Sequence, residues 1–240
     1  MRAVLRNALG RAVRWGMISR NVAELVDPPR VPEYEARFLT IAEARAFLEA
    51  ARGDRLEALY SVALALGLRQ GEALGLRWAD IDLDARALHV THALVRVPGG
   101  GLQLLEPKTK RSRRGLALPE AVVRALRAHR ARQLEERLAS GAAWQDLGLV
   151  FTTYDGRPLQ ATHVLTGSFH RIREKAGIGR LRFHDLRHSA ATLLLAQGVP
   201  QRVVMEQLGH STLAMTQRYT HVVPQLMNDA AAAMDRALGS

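Results

Sequence analysis

The sequence predicts a mainly helical fold with a small antiparallel β-sheet, an α+β domain. Three observations predict it. Apolar residues recur with helical spacing over most of the 240 residues. One stretch, from about residue 86 to 118, changes to strand-like alternation interrupted by the turn Pro98-Gly99-Gly100-Gly101. Finally, 48% of the residues are hydrophobic, enough for a sizeable core, while no run approaches the eighteen or so apolar residues that a membrane helix needs.

Residues 2–17 place apolar side chains at 4, 5, 8, 9, 12 and 13, with arginines at 2, 6, 11 and 14, as an amphipathic helix does. An arginine-rich amphipathic start also suits a transit peptide, but this one runs into the proline-rich segment 18–33 with no cleavage-like site. Thr40 and Glu43 form a capping box that opens a helix to about Ala51. A second helix, Arg55 to Leu66, is apolar nearly all round and is expected to be buried, ending at Gly67. Residues 86–96 read as a strand, 102–105 as a second and 114–118 as a third, with the basic segment PKTKRSRRG between the last two. Pro119, at a first helical position, opens a long helix to about Ala139 with Val122, Val123, Leu126, Leu134 and Leu138 turned inward. Leu149-Val150-Phe151 reads as a short buried strand and 162–176 as a helix. That helix carries His163, His170, Arg171 and Arg173 on a face that is DNA-facing or merely exposed.

The stretch Leu181 to Tyr219 carries the chemistry. His184 and Arg187 lie three apart, on one face of a helix broken by Gly198-Val199-Pro200. Val203, Val204 and Leu208 give a second apolar stripe. Leu208-Gly209-His210 follows, with Ser211 or Thr212 able to cap a third helix bearing Tyr219. Pro224 starts an Ala-rich helix to Leu238. Imidazoles, a guanidinium and a phenol suit work on a phosphodiester: a nucleophile, proton carriers and anion clamps. The formal charge of +11 and a pI near 11 favour a polyanionic partner. With no cysteine, disulfides and thiolate metal sites are excluded, which suits a reducing cytosol.

His-x-x-Arg, Leu-Gly-His and a tyrosine nine residues later, in this order, resemble the tyrosine recombinase (phage integrase) family. The family's Gly-x-Arg-x-Gly-Glu box is matched by Gly67-Leu68-Arg69-Gln70-Gly71-Glu72. The resemblance implies a tyrosine recombinase catalytic-domain fold in residues 31–240, which would break and rejoin DNA. Residues 1–30 would keep the last helix of a truncated core-binding domain plus linker, since Trp15-Gly16-x-Ile18-x-x-Asn21 fits that helix's end. It further implies catalytic roles for Arg69, Lys108, His184, Arg187, His210 and the nucleophile Tyr219, with Glu72 orienting Arg69 and Gly71 permitting the bend that aims it. Choosing Lys108 over Lys110 rests on the resemblance alone. Lys110, Arg111, Arg113, Arg114, Arg171 and Arg173 are expected to contact DNA. The implied protein is a cytoplasmic site-specific recombinase of a mobile element or phage, acting on double-stranded DNA as a homo-oligomer (a tetramer on DNA). It needs no cofactor, metal or membrane.

Rival readings are weaker. His184 and His188 could face zinc, but a zincin needs Glu where Asp185 stands and a third ligand, and Arg187 would repel the ion. Type IB topoisomerases share the constellation but carry patterns other than Leu-Gly-His-Ser. A truncated, catalytically impaired DNA-binding module of the same family is the remaining alternative.

Overall fold

The computed structural model describes residues 2–27, 37–106 and 113–209. Its contacts fall into two units, Met1–Glu35 and Ala36–Ser240. In the first unit, α1 (Arg2–Arg14) is followed by a single 3₁₀ turn, Val22–Glu24. Asn21 joins them: its amide donates to the Arg6 carbonyl at 2.8 Å while its side-chain oxygen accepts from Ala23 N–H. No α1 residue is buried, and Val4, Leu5, Trp15 and Met17 are exposed.

The second unit opens with α2 (Ile41–Ala51), whose Thr40–Glu43 capping box is present as the sequence predicts. Next, α3 (Glu57–Leu66) is buried on nearly every side. Phe47 of α2 and Tyr60 of α3 meet Phe169 and Phe183 in an aromatic cluster with ring centroids 5.7–6.4 Å apart. Each such side chain contributes about 1.5–3 kcal/mol by leaving water. Gly67 ends α3 with φ +64°, the left-handed conformation usual after a helix. The short α4 (Gln70–Leu74) then turns the chain towards the sheet.

Here the structure departs from the sequence reading. The expected strand 86–96 is two strands in two sheets. β1 (Ile81–Asp82), β2 (Ala87–Val90) and β5 (Arg114–Ala117) form one antiparallel sheet, in the order β1-β2-β5. The hairpin of β3 (Ala93–Val97) and β4 (Gly101–Leu105) forms the other. The break falls at Thr91, whose hydroxyl donates to Asp80 at 2.8 Å while Arg77 grips the same carboxylate. That side-chain contact competes with continuing the ladder. Lys108, Lys110 and Arg111, between β4 and β5, lie outside the described residues.

Pro119 caps α5 (Glu120–Ser140) from outside the helix. Leu134 and Leu138 are exposed, contrary to expectation, and His129 and Gln133 are buried in their place. The inward stripe follows 122, 126, 129 and 133, so it is partly polar: Gln133 accepts from the Trp78 indole at 2.6 Å, and His129 Nε2 meets the Val150 carbonyl at 2.7 Å. Leu149–Phe151 is buried but forms only one bridge, Leu149 with Arg77, rather than a strand. The helix expected at 162–176 is α6 (Ala161–Val164) and α7 (His170–Lys175), joined by the π-helical turn Leu165–Phe169. That turn presents buried Ser168 to the Tyr60 hydroxyl. Finally α8 (Phe183–Ala196) and α9 (Gln201–Leu208) pack together through Ala191, Leu195, Val204 and Leu208, while Val203 is exposed.

Candidate anion-binding site

The site forms where α3, α4, α8, α9 and β5 meet. Arg187 on α8 is buried and forks across two carbonyls, Gly67 at 2.7 Å and Leu208 at 2.6 Å. Arg69 precedes α4; its backbone N–H is accepted by Glu72 at 2.9 Å, which holds the helix start. The Arg69 guanidinium binds Glu72 at 2.7 Å and reaches the Gly209 carbonyl at 3.3 Å, with 37% of the side chain still exposed. Arg114 on β5 binds both oxygens of Glu72, at 2.9 and 3.3 Å, and donates from Nε to the Gln207 carbonyl at 2.6 Å.

Three arginines from three parts of the chain therefore converge on three consecutive carbonyls, Gln207, Leu208 and Gly209. The unpaired carbonyls at a helix C-terminus carry partial negative charge, and cations are stabilised there. Gly209 closes α9 with φ +66°; a Cβ there would stand 3.0 Å from Arg114 Nη1. Gly67 has no room either, since a Cβ would come within 2.3 Å of Leu208 Cδ2. Gly71 lies inside α4, not at a bend; a Cβ would stand 2.8 Å from the Leu94 carbonyl, so its role is to admit β3.

Burial alone would raise the Glu72 carboxyl. Hydrogen bonding and charge from Arg114, then charge and contact from Arg69, outweigh it and hold the group below the ordinary carboxylate value. His184 stands one turn before Arg187, at the surface, with its ring edge-to-face on His188 at 4.9 Å. Partial burial, then the Arg187 charge, lowers its pKa, which favours the neutral imidazole. His188 is lowered further, to about 4, first by burial and next by His184. Among the described residues no His, Asp or Glu cluster is arranged to hold a metal ion.

The described residues expected to contact DNA are held in different ways. Arg114 is buried, with 7% of its side chain exposed, and is not a surface contact for DNA in this arrangement. Arg171 pairs with Asp54 at 2.6 Å, ahead of the opposite end of α3 from Arg69, about 15 Å away along a ten-residue helix. Arg173 is mostly covered and pairs with its neighbour Glu174 at 3.4 Å. Arg113 is half exposed and pairs with Glu106 at the foot of the basic segment. His210 and Tyr219 lie outside the described residues. The part played by Arg114 and Gln207 escaped sequence reasoning, because it depends on β5 pairing with β2 and facing α9.

Guanidinium charge in excess of carboxylate charge, fixed on packed helices and still open at Arg69, suits recognition of a phosphate anion. The chain belongs to the phage integrase family, whose family model matches residues 37–225. It is 32% identical over 277 residues to an integrase of Saccharopolyspora erythraea, covering 94% of this chain and 63% of that protein. It is 35% identical over 244 residues to a XerC-like tyrosine recombinase of Caldanaerobacter subterraneus, covering 94% and 62%. The chain thus spans about three-fifths of the length of these relatives. Its fold is similar to that of the Tn1549 transposon integrase in complex with a circular intermediate DNA, with TM-score 0.73, 24% identity and 98% and 77% of the two chains covered. It is also similar to the XerA recombinase, with TM-score 0.64, 26% identity and 85% and 66% covered.

Proposed function

We propose that this chain breaks and rejoins double-stranded DNA at specific sites, through a 3′-phosphotyrosine link at Tyr219. What supports the reading most is one arrangement: Arg69 and Arg187 are both tied to the last carbonyls of α9, and the next residue in the chain is His210. The two guanidinia are thereby tied to the turn that leads, one residue on, to His210.

Transfer at phosphorus depends chiefly on positioning and charge. Tyr219 Oη attacks the scissile phosphorus in line, so an O–P bond forms and the bond to the 5′-oxygen breaks. Arg69, Arg187 and His210 hold the non-bridging oxygens as negative charge builds, a task suited to planar, bidentate donors. A tyrosine hydroxyl titrates near 10 when free and needs a base near neutrality. We assign that role to His184, which lies at the surface beside Arg187 in surroundings that favour the neutral, proton-accepting form. Lys108 gives its proton to the departing 5′-oxygen. Rejoining reverses these steps, with the phosphodiester energy kept in the tyrosine link, so no cofactor is required.

The partner is double-stranded DNA, and the active form is a homo-oligomer assembled on it, a tetramer on paired sites. The similar Tn1549 transposon integrase is seen in complex with DNA, which supports the partner. The test is a nicked duplex carrying the end of the element in which the coding sequence lies. Cleavage there releases a short fragment that cannot rejoin, and a denaturation-resistant protein–DNA adduct should accumulate. Tight binding without any adduct would reject strand transfer.

A further inference from the structure

Arg114 lies at the start of β5, with its backbone fixed opposite Val90 in the sheet. Its side chain leaves the sheet and, among the described residues, reaches both the Glu72 carboxylate and the Gln207 carbonyl. Glu72 Oε1 is also the oxygen that Arg69 grips, at 2.7 Å against 3.3 Å for Arg114 Nη1. Gly209 lies against the same guanidinium, where a Cβ would stand 3.0 Å from Nη1. One position in the chain before it, Arg113 pairs with Glu106 across the base of the segment that carries Lys108.

We propose that Arg114 is a positioning residue for strand transfer. It divides Glu72 between two guanidinia, so that Arg69 stays turned outward, and it pins the last turn of α9 where the chain enters His210. This rests on the proposed strand-transfer function. Without Arg114, the buried carboxylate keeps Arg69 as its partner among the described residues and draws that guanidinium inward, away from a phosphate. Lysine cannot replace it, because a single ammonium lacks the Nε donor that meets Gln207 while the two Nη atoms meet Glu72.

The test uses the whole chain with Arg114→Lys, which keeps the charge, and Arg114→Gln, which keeps a donor without charge. Three quantities are measured on the nicked duplex: DNA affinity against salt, the single-turnover rate of adduct formation at saturating DNA, and that rate on a scissile methylphosphonate. The expected result is unchanged affinity and salt slope with a saturated rate lower by about 10²-fold, the effect of a displacement near 1 Å at a reacting centre. The uncharged methylphosphonate asks less of Arg69, so the deficit should shrink on it; a general folding defect would not respond to that change. A salt slope shallower by about one, with an unchanged saturated rate, would make Arg114 a phosphate contact and overturn the proposal. An equal deficit on both substrates, or none on either, would overturn it too. If the unaltered chain forms no adduct, the strand-transfer reading itself falls, and this one with it.

Discussion

Arg187 holds the Leu208 carbonyl at 2.6 Å, so the helix that carries His184 is tied to the last turn before His210. Its second arm fixes Gly67 at 2.7 Å, just ahead of Arg69. Lysine at 187 could serve one carbonyl and would leave the other buried without a donor. Arg187→Lys should therefore lower folding stability by about 1–3 kcal/mol, seen as an earlier urea midpoint with an unchanged slope. It should also reduce adduct formation far more than DNA affinity.

Gly67 separates backbone strain from packing strain. Gly67→Ala forces a left-handed alanine and puts its Cβ 2.3 Å from Leu208 and 3.2 Å from Ala190. Gly53 has φ +78° with nothing within 4 Å, so Gly53→Ala carries only the backbone cost of about 1–2 kcal/mol. Overpacking should add about 1–3 kcal/mol at Gly67 alone. Equal urea midpoints for the two variants would show that the α3–α9 contact is looser than described.

His188 predicts an acid-side loss of stability. Its pKa is about 4 in the fold, lowered by burial and by His184, with Arg187 and Arg182 adding and Asp185 opposing. A histidine in the unfolded chain titrates near 6.5. Between those values the unfolded state binds more protons, so stability is full above about 6.5 and falls as pH drops towards about 4. His188→Gln should flatten the fall in melting temperature over that window, leaving the smaller contribution of His184, which is lowered in the same direction. Parallel curves for the two proteins would remove His188 from the account.

The charge of +11 predicts steep salt dependence of DNA binding. Neutralising roughly six to ten phosphates would cost about 10³–10⁵ in affinity between 50 and 200 mM salt. Arg171→Ala should leave that slope unchanged, because Arg171, though largely exposed, lies beside Asp54 at the far end of α3 from Arg69. A shallower slope in Arg171→Ala would return that face to the DNA interface.

Local signals in the sequence were reliable where neighbours along the chain decide the outcome. The Thr40–Glu43 box, the all-round apolar pattern of α3 and the helix break at Gly198 are legible from neighbouring residues alone. The break at Thr91 depends on Asp80, and the polar stripe of α5 depends on Trp78 and Val150, so periodicity alone put Leu134 and Leu138 inside. In the site, the Arg69–Glu72 spacing was visible as one helical turn. The burial of Arg114 was not, because a basic run such as KRSRRG reads as solvated unless the sheet register is known. The engagement of Arg171 with Asp54, 117 residues earlier, was hidden for the same reason.

The central claim, covalent attack by Tyr219, is tested most directly by adduct formation on the nicked duplex in Tyr219→Phe, beside peptide mapping of the unaltered chain. Loss of one hydroxyl should leave DNA affinity and its salt slope unchanged. A phenyl ring has no oxygen to attack phosphorus, so no adduct should form. In the unaltered chain the nucleotide should map to the peptide containing Tyr219. An adduct that persists in Tyr219→Phe, or one that maps to Tyr154 or to a serine, would contradict the account.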